Sequence, residues 1–369
     1  MGSLNRIIGK QILVKILVEI YGLDAEEESR MRESTSEEGE LRKIGKCTNF
    51  GELTFYCELV GYDIKTLNAA TGKGSYMLKV GSKAVTVPYE AKKKETERKV
   101  ELVLYKLKGL RGFFRRAAEV RLLRLKEEGK VSVGPCTPTA NYPHPEILED
   151  HIAMGYHQQG TCKPMCLVRR LFGSLENYAT LKIFPPYIAK AMAENIPAGV
   201  TAYLQEKVGE IFGLDHCIVY HDGESTLKTE TFNVINRVTD LAVNNFMKHA
   251  VSGTLPFKVV FSMNTGTEKE LTENIGFFLD TLFEINKEEG IQLGAGKNNG
   301  SGQVKINIIS AQVNKRFAEI ENFIKEEKER VHIVDFGGIQ LQETKPEYII
   351  DPKFADYALK AFKNSVGDQ

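Results

Sequence analysis

The chain of 369 residues has no net charge, with 49 Lys and Arg against 49 Asp and Glu, and no tandem repeat of fixed period, which sets solenoids and propellers aside. Near its start it also lacks a membrane-length apolar run. Ile12 to Leu23 is broken by Lys15 and Glu19, falls well short of the roughly 20 residues a span requires, and reads as a strand. Met1 to Lys10 has no unbroken apolar stretch followed by a small-residue cleavage site, so a cytoplasmic location is expected. What remains, 42% hydrophobic and 27% charged, excludes disorder and collagen and suits a globular protein of one to three domains.

Neutrality overall conceals an uneven distribution, and distribution decides what a surface attracts. Asp24 to Glu40 is strongly acidic, mixed with Ser and Thr and without apolar periodicity, and reads as a solvated loop. Ala91 to Lys130 carries 8 Lys and 6 Arg against 6 Glu, a net +8. Within it, Leu107 to Glu128 is helical in period: Leu110, Phe113, Phe114, Ala117 and Val120 share one side, and Lys108, Arg111, Arg115 and Lys126 gather opposite. An ordinary solvated face and a polyanion-binding face both fit that stripe. Arg121 and Arg124 interrupt the apolar side, so the last turns should meet solvent, a polar neighbour or a ligand.

Further strands are expected at Leu53 to Val60, Ser75 to Val87, Val100 to Tyr105, Cys217 to His221, Phe257 to Met263, Gln303 to Ser310 and Val331 to Val334. Helices are expected at Pro186 to Glu194, Thr201 to Phe212, Thr239 to Lys248, Glu268 to Glu288 and Ala311 to Lys328. The strand, helix, glycine-rich connection and strand from Phe257 to Ser310 suit an open sheet with helices on one face, as in ferredoxin-like folds. The expected class is α+β, one core interrupted by insertions. Its parts are a first core strand in 1–24, a lid-like insertion at 25–100, a core strand and basic helix at 101–130, a Cys/His insertion at 131–170, a helical insertion at 171–214, and the rest of the core at 215–369.

Three of six cysteines and three of seven histidines fall between residues 136 and 166. The order Cys136, His144, His151, His157, Cys162, Cys166 has spacings compatible with a tetrahedral thiolate and imidazole site, for which zinc is the natural ion. The favoured ligands are Cys136, His157, Cys162 and Cys166, with His144 or His151 as substitutes. A Cys162–Cys166 disulfide or a reduced, unliganded loop are the alternatives. His144-Pro145-Glu146 matches half of a nucleobase deaminase motif, but Cys162 and Cys166 are one residue too far apart for the other half and lack its leading proline. Four protein ligands leave no position for water, so a structural site is expected.

Gly290 to Gly302 places Gly294, Gly296, Gly300 and Gly302 around Lys297. A dinucleotide fingerprint or P-loop follows a strand and opens a helix; here the order is inverted, and both nucleotide readings fail. A turn, or a loop that lets another backbone come close, remains.

Gly294-Ala295-Gly296-Lys297-Asn298-Asn299-Gly300-Ser301-Gly302-Gln303-Val304 resembles the glycine-rich loop of the RAMP superfamily of CRISPR-associated proteins. Leu107-Lys108-Gly109-Leu110-Arg111-Gly112 resembles that family's opening of the first core helix. Cys166 to Ser174 resembles its CxxCRLFGS element, and Val234 to Ala242 followed by Gly253-Thr254-Leu255-Pro256-Phe257 resembles another, with Asn236 where an acidic residue is usual. Within the superfamily the chain is most similar to the backbone subunit of type I interference complexes, subtype I-D in particular.

The resemblance implies an RRM-like (ferredoxin-like) core with lid, zinc-binding and helical insertions. It implies copies polymerised along a CRISPR RNA, holding its backbone while guide pairing reads the target nucleic acid, alongside other subunits of the complex and without a membrane. Expected RNA contacts are Lys108, Gly109, Arg111, Arg115, Arg169, Arg170, Gly294, Gly296, Lys297, Gly300 and Gly302. No enzymatic activity is expected. The alternative is a metal-dependent ribonuclease of the type III backbone kind, for which Asp24 lies near the expected aspartate; a module docking an acidic protein partner is a third reading.

Overall fold

The computed structural model describes residues 51–67, 77–91, 94–107, 109–137, 145–157, 165–173, 178–191, 198–214, 217–220, 227–235, 242–262, 267–287, 291–294, 300–336 and 339–367. The fold is mixed α+β, with all described strand pairs antiparallel but one. Strand β1 (Glu52–Leu67) lies at its centre, although it falls within the range expected as a lid-like insertion. The expected first strand, Gln11 to Tyr21, lies outside the described residues. β1 alternates as a half-covered strand must: Leu53, Phe55, Cys57 and Leu59 are buried, and the residues between them are half-buried.

Two partners flank β1, both antiparallel: β8 (Ala242–Ser262) on one edge and β9 (Gln303–Val313) on the other. The far edge of β8 pairs antiparallel with β4 (Leu181–Phe184) and with β7 (Leu227–Ile235). β1 and β4 are therefore parallel with β8 between them, and β8 and β9 are parallel with β1 between them. Each pair is joined through a helix: α1 (Leu110–Glu127) between β1 and β4, and α5 (Glu268–Asn286) between β8 and β9. The spatial order β9-β1-β8-β4 thus arises from two interleaved β-α-β units.

The helices cover one face of the sheet. Phe114 of α1 lies 6.0 Å from Phe257 of β8 and 5.4 Å from Phe278 of α5, ring centre to ring centre. α5 begins at a capping box, with Glu270 N–H donating to Thr267 Oγ1 at 3.2 Å and Thr267 N–H donating to Glu270 Oε2 at 3.0 Å. Two orphan amides of the first turn are thereby satisfied. Arg121 and Arg124, which interrupt the apolar side of α1, meet a polar neighbour: Arg121 Nε lies 2.5 Å from Asp280 Oδ2, and Arg124 pairs with Glu284, both acids being buried in α5.

β9 extends through β11 (Ile339–Ile350) to β10 (Ile324–Phe336), and α6 (Lys353–Gly367) returns onto α5 with Phe354, Ala358, Phe362 and Val366 inward. A separate four-stranded sheet has the order β2-β3-β5-β6: β2 (Met77–Ala91), β3 (Lys94–Leu107), β5 (Tyr187–Ala191) and β6 (Cys217–Tyr220). Its own core packs Val87, Val100 and Leu102 against Val200, Leu204 and Val208 of α4 (Ala198–Phe212). Two short helices, α2 (Pro145–Ala153) and α3 (Leu167–Phe172), lie between α1 and β4 in the chain.

Three expected helices are otherwise in the structure. Pro186 to Glu194 contains β5, held between β3 and β6. Of Thr239 to Lys248, the described part from Ala242 is the start of β8, zipped to β7. Ala311 to Lys328 is the end of β9, a 3-10 turn at Ala318–Phe323 and the start of β10. In each, pairing with another strand outweighs local periodicity.

Candidate metal centre and cationic helix

Three short stretches between Pro135 and Cys166 build the Cys/His cluster. The segment after α1 runs beside the end of the α2 region: Thr137 N–H donates to His157 O at 2.9 Å, and His157 N–H donates to Pro135 O at 3.1 Å. That single parallel bridge sets Cys136 beside His157. Gly134 permits the approach, because a Cβ there would lie inside contact distance of the Gly155 carbonyl oxygen. Cys166 arrives from the N-cap of α3, its sulfur accepting from Arg169 N–H at 3.4 Å.

The resulting geometry is compact. Cys136 Sγ lies 2.8 Å from His157 Nε2 and 3.4 Å from Cys166 Sγ, and the three donor atoms all lie within 4.8 Å of one another. Both cysteines are free thiols and buried. Hydrogen bonding with Cys136 holds the Cys166 thiol well below its usual range, at about 4, aided by His157 and the Arg169 amide against the opposing effect of burial. A thiolate is the form that ligates metals. For a tetrahedral ion with metal–sulfur and metal–nitrogen bonds of about 2.3 and 2.0 Å, ligand atoms lie roughly 3.5–3.8 Å apart. The cysteine pair at 3.4 Å is close to that spacing and the Cys136–His157 pair at 2.8 Å is tighter, so the three soft donors could hold a metal ion once His157 moves outward by less than about 1 Å. Cys162 and His144 lie outside the described residues. His151 stacks on Tyr156 at 5.0 Å and is not one of the three converging ligands.

The segment carrying His157 is clamped to α1. Lys126 Nζ donates to Gly155 O at 3.2 Å, and Arg116 Nη1 donates to Tyr156 Oη at 2.6 Å. The Tyr156 hydroxyl in turn donates to Glu119 Oε2 at 3.3 Å. Its pKa is pushed up to about 12 by burial and by the neighbouring Glu119 charge.

On α1, Gly109 is the N-cap at φ 84. Arg111 is exposed and its Nη2 donates to Phe172 O at 2.6 Å, tying the first turn to the end of α3. Arg115 is half-buried, its Nε 3.0 Å from Glu119 Oε1. Arg169 is buried, and Arg170 is half-buried, with desolvation lowering its pKa. Lys108, Gly296 and Lys297 lie outside the described residues, as does Asp24. The described ends of the glycine-rich segment, Gly294, Gly300 and Gly302, have φ of 96, 75 and 83.

That segment is anchored by residues the sequence reading passed over. Asp63, at φ 51, sits where the β1–β8 register shifts between Gly61 and Ile64. Its carboxylate accepts from Ser301 Oγ at 2.8 Å, its carbonyl accepts from Gly302 N–H at 3.1 Å, and its own N–H donates to Ser252 Oγ at 2.9 Å. Gly61 inside an otherwise strand-like run was the available signal for a bulge.

No protein-family model matches the chain, and no curated protein does. Among solved structures, Csc2 of Thermofilum pendens is similar over 73% of this chain and 68% of that one, with a TM-score of 0.32 and 11% sequence identity.

Proposed function

We propose that the chain is a sequence-independent single-stranded RNA-binding protein, the repeated backbone subunit of a CRISPR interference complex of the type I, RAMP kind, working in the cytoplasm with other subunits and without catalysis of its own. The observation that supports this reading is the strand order β9-β1-β8-β4 with its two interleaved β-α-β units, an order that suits an RRM-like core. In that arrangement the two most distinctive sequence elements fall at junctions of the two units: Leu107 to Gly112 opens the helix of the first, and the glycine-rich segment comes between the helix and the last strand of the second.

Lys108, Arg111, Arg115 and Lys297 engage phosphates, the glycines let the RNA backbone approach, and Arg170 is a further contact. Arg169, being buried, supports α3. Zinc held by Cys136, His157 and Cys166, with Cys162 as fourth ligand, supplies a structural cross-link and no open coordination position.

The test is an anisotropy titration of the full chain with unrelated single-stranded RNAs at two salt concentrations, with gels of the same samples. Sequence-blind, salt-sensitive binding without products is expected. Replacing Lys108, Arg111 and Arg115 together should weaken binding equally for all sequences and reduce the log–log salt slope by about 2. An unchanged affinity would remove this helix face from the reading, and divalent-metal-dependent products would replace it with the ribonuclease.

A further inference from the structure

Glu119 is an anomaly on a helix whose preceding charges, Arg111, Arg115 and Arg116, are all arginines: a carboxylate with 4% of its surface exposed. A buried charge persists only when paired and hydrogen-bonded. Two of its partners come from its own helix, Arg115 Nε at 3.0 Å and Arg116 Nη1 at 3.8 Å. The third is the Tyr156 hydroxyl at 3.3 Å, which also accepts from Arg116 at 2.6 Å. Tyr156 immediately precedes His157, whose backbone is bridged to both sides of Cys136. The metal loop thus supplies one of the three groups that satisfy Glu119, and the same hydroxyl holds the side chain of Arg116.

We infer that Tyr156 is a positioning residue coupling metal binding to nucleic-acid binding: with the metal loop closed, its hydroxyl shares the neutralisation of Glu119 and holds Arg116 outward. When the metal is removed the loop loosens, the hydroxyl withdraws, and Arg116, 3.8 Å from Glu119, turns inward to join Arg115 on the stranded carboxylate. One cation then leaves the face that meets phosphate. Coupling of this kind is reciprocal, so RNA must tighten metal binding by the factor by which metal tightens RNA. The inference rests on the RNA-binding reading above, and the experiment separates the two.

The full-length wild-type chain and Tyr156→Phe are each titrated with an unrelated single-stranded RNA, zinc-loaded and chelator-treated. Zinc affinity is measured by competition with a chromophoric chelator, with and without RNA. Hydrogen exchange is followed at 110–120 and 151–157. Chelation is expected to weaken RNA binding by the wild type about fivefold or more. Zinc-loaded Tyr156→Phe should keep near-wild-type zinc affinity yet bind RNA as weakly as the chelated wild type, with no further loss on chelation. RNA should tighten zinc in the wild type only. Independent, multiplying effects of chelation and substitution would overturn the coupling, as would wild-type RNA binding by the variant. If the zinc-loaded wild type binds no RNA, the RNA reading fails. The coupling is then judged by exchange alone: it stands if chelation speeds exchange in both segments and falls if only 151–157 responds.

Discussion

Gly276 lies where α5 crosses α6, and an added Cβ would sit inside contact distance of the Ala358 carbonyl oxygen and 2.6 Å from Phe362 Cβ. Carbon atoms pack at about 3.5–4.0 Å, so Gly276→Ala requires the second helix to retreat by roughly 1 Å. Phe362 is 1% exposed and its ring lies 5.4 Å from that of Phe277, which leaves no slack to absorb the shift. Overpacking costs about 1–3 kcal/mol, and obstruction by a backbone carbonyl places this case at the upper end. Alanine returns about 1 kcal/mol of helix propensity, so the net loss should be about 2 kcal/mol. Gly112, in α1 with nothing within 4 Å of an added Cβ, provides the control: Gly112→Ala should gain up to about 1 kcal/mol. Urea unfolding followed by far-UV circular dichroism reads both. The reasoning is refuted if Gly276→Ala is as stable as the parent or more so.

Other outcomes follow from the site and the helix pair. Chelation should raise protease sensitivity in residues 131–166 while the sheet core stays folded; global unfolding would contradict a locally structural metal. Cys166→Ser should lower zinc affinity by more than about 100-fold in chelator competition, since even residues that only orient metal ligands typically contribute 10–100-fold. Arg121→Met should destabilise by about 3 kcal/mol because it leaves Asp280 buried without its nearest cation, and adding Asp280→Leu should recover most of the loss; a single variant as stable as the parent would show the pair to be dispensable.

Where local pattern and tertiary environment agree, the chain could be read directly. The basic helix, the Thr267–Glu270 start of α5 and the β1 alternation all follow from residue spacing. So did the convergence of Cys136, His157 and Cys166, because soft ligands clustered in a segment with no apolar period have few other uses. The errors share one cause. In Ala311 to Lys328 the apolar residues Val313, Phe317, Ile320 and Ile324 recur every three or four positions, and the first three are buried. The chain buries them through a strand end and a 3-10 turn, because β9 and β10 have partners more than 200 residues away or in a following hairpin. Conversely, α6 shows Phe354, Ala358, Phe362 and Val366 at intervals of four, a helical signal the sequence reading left unused. Asp63, Ser252 and Ser301 could not be grouped from sequence at all, since only the β1–β8–β9 register brings them together.

The interleaving of the sheet bears on how the protein is made. β1 is complete at residue 67, but the strands that occupy its two edges end at residues 262 and 313. At ribosomal rates of about 5–20 residues per second, the second edge waits roughly 12 to 50 s after β1 has been synthesised. Until residue 262 has been made, a strand carrying Leu53, Phe55 and Leu59 has two open edges and no helix α5 to cover it, and one edge stays open until residue 313, the condition under which nascent chains pair with one another. Expression yield should therefore depend more on chaperone supply and synthesis rate than on the stability of the finished fold.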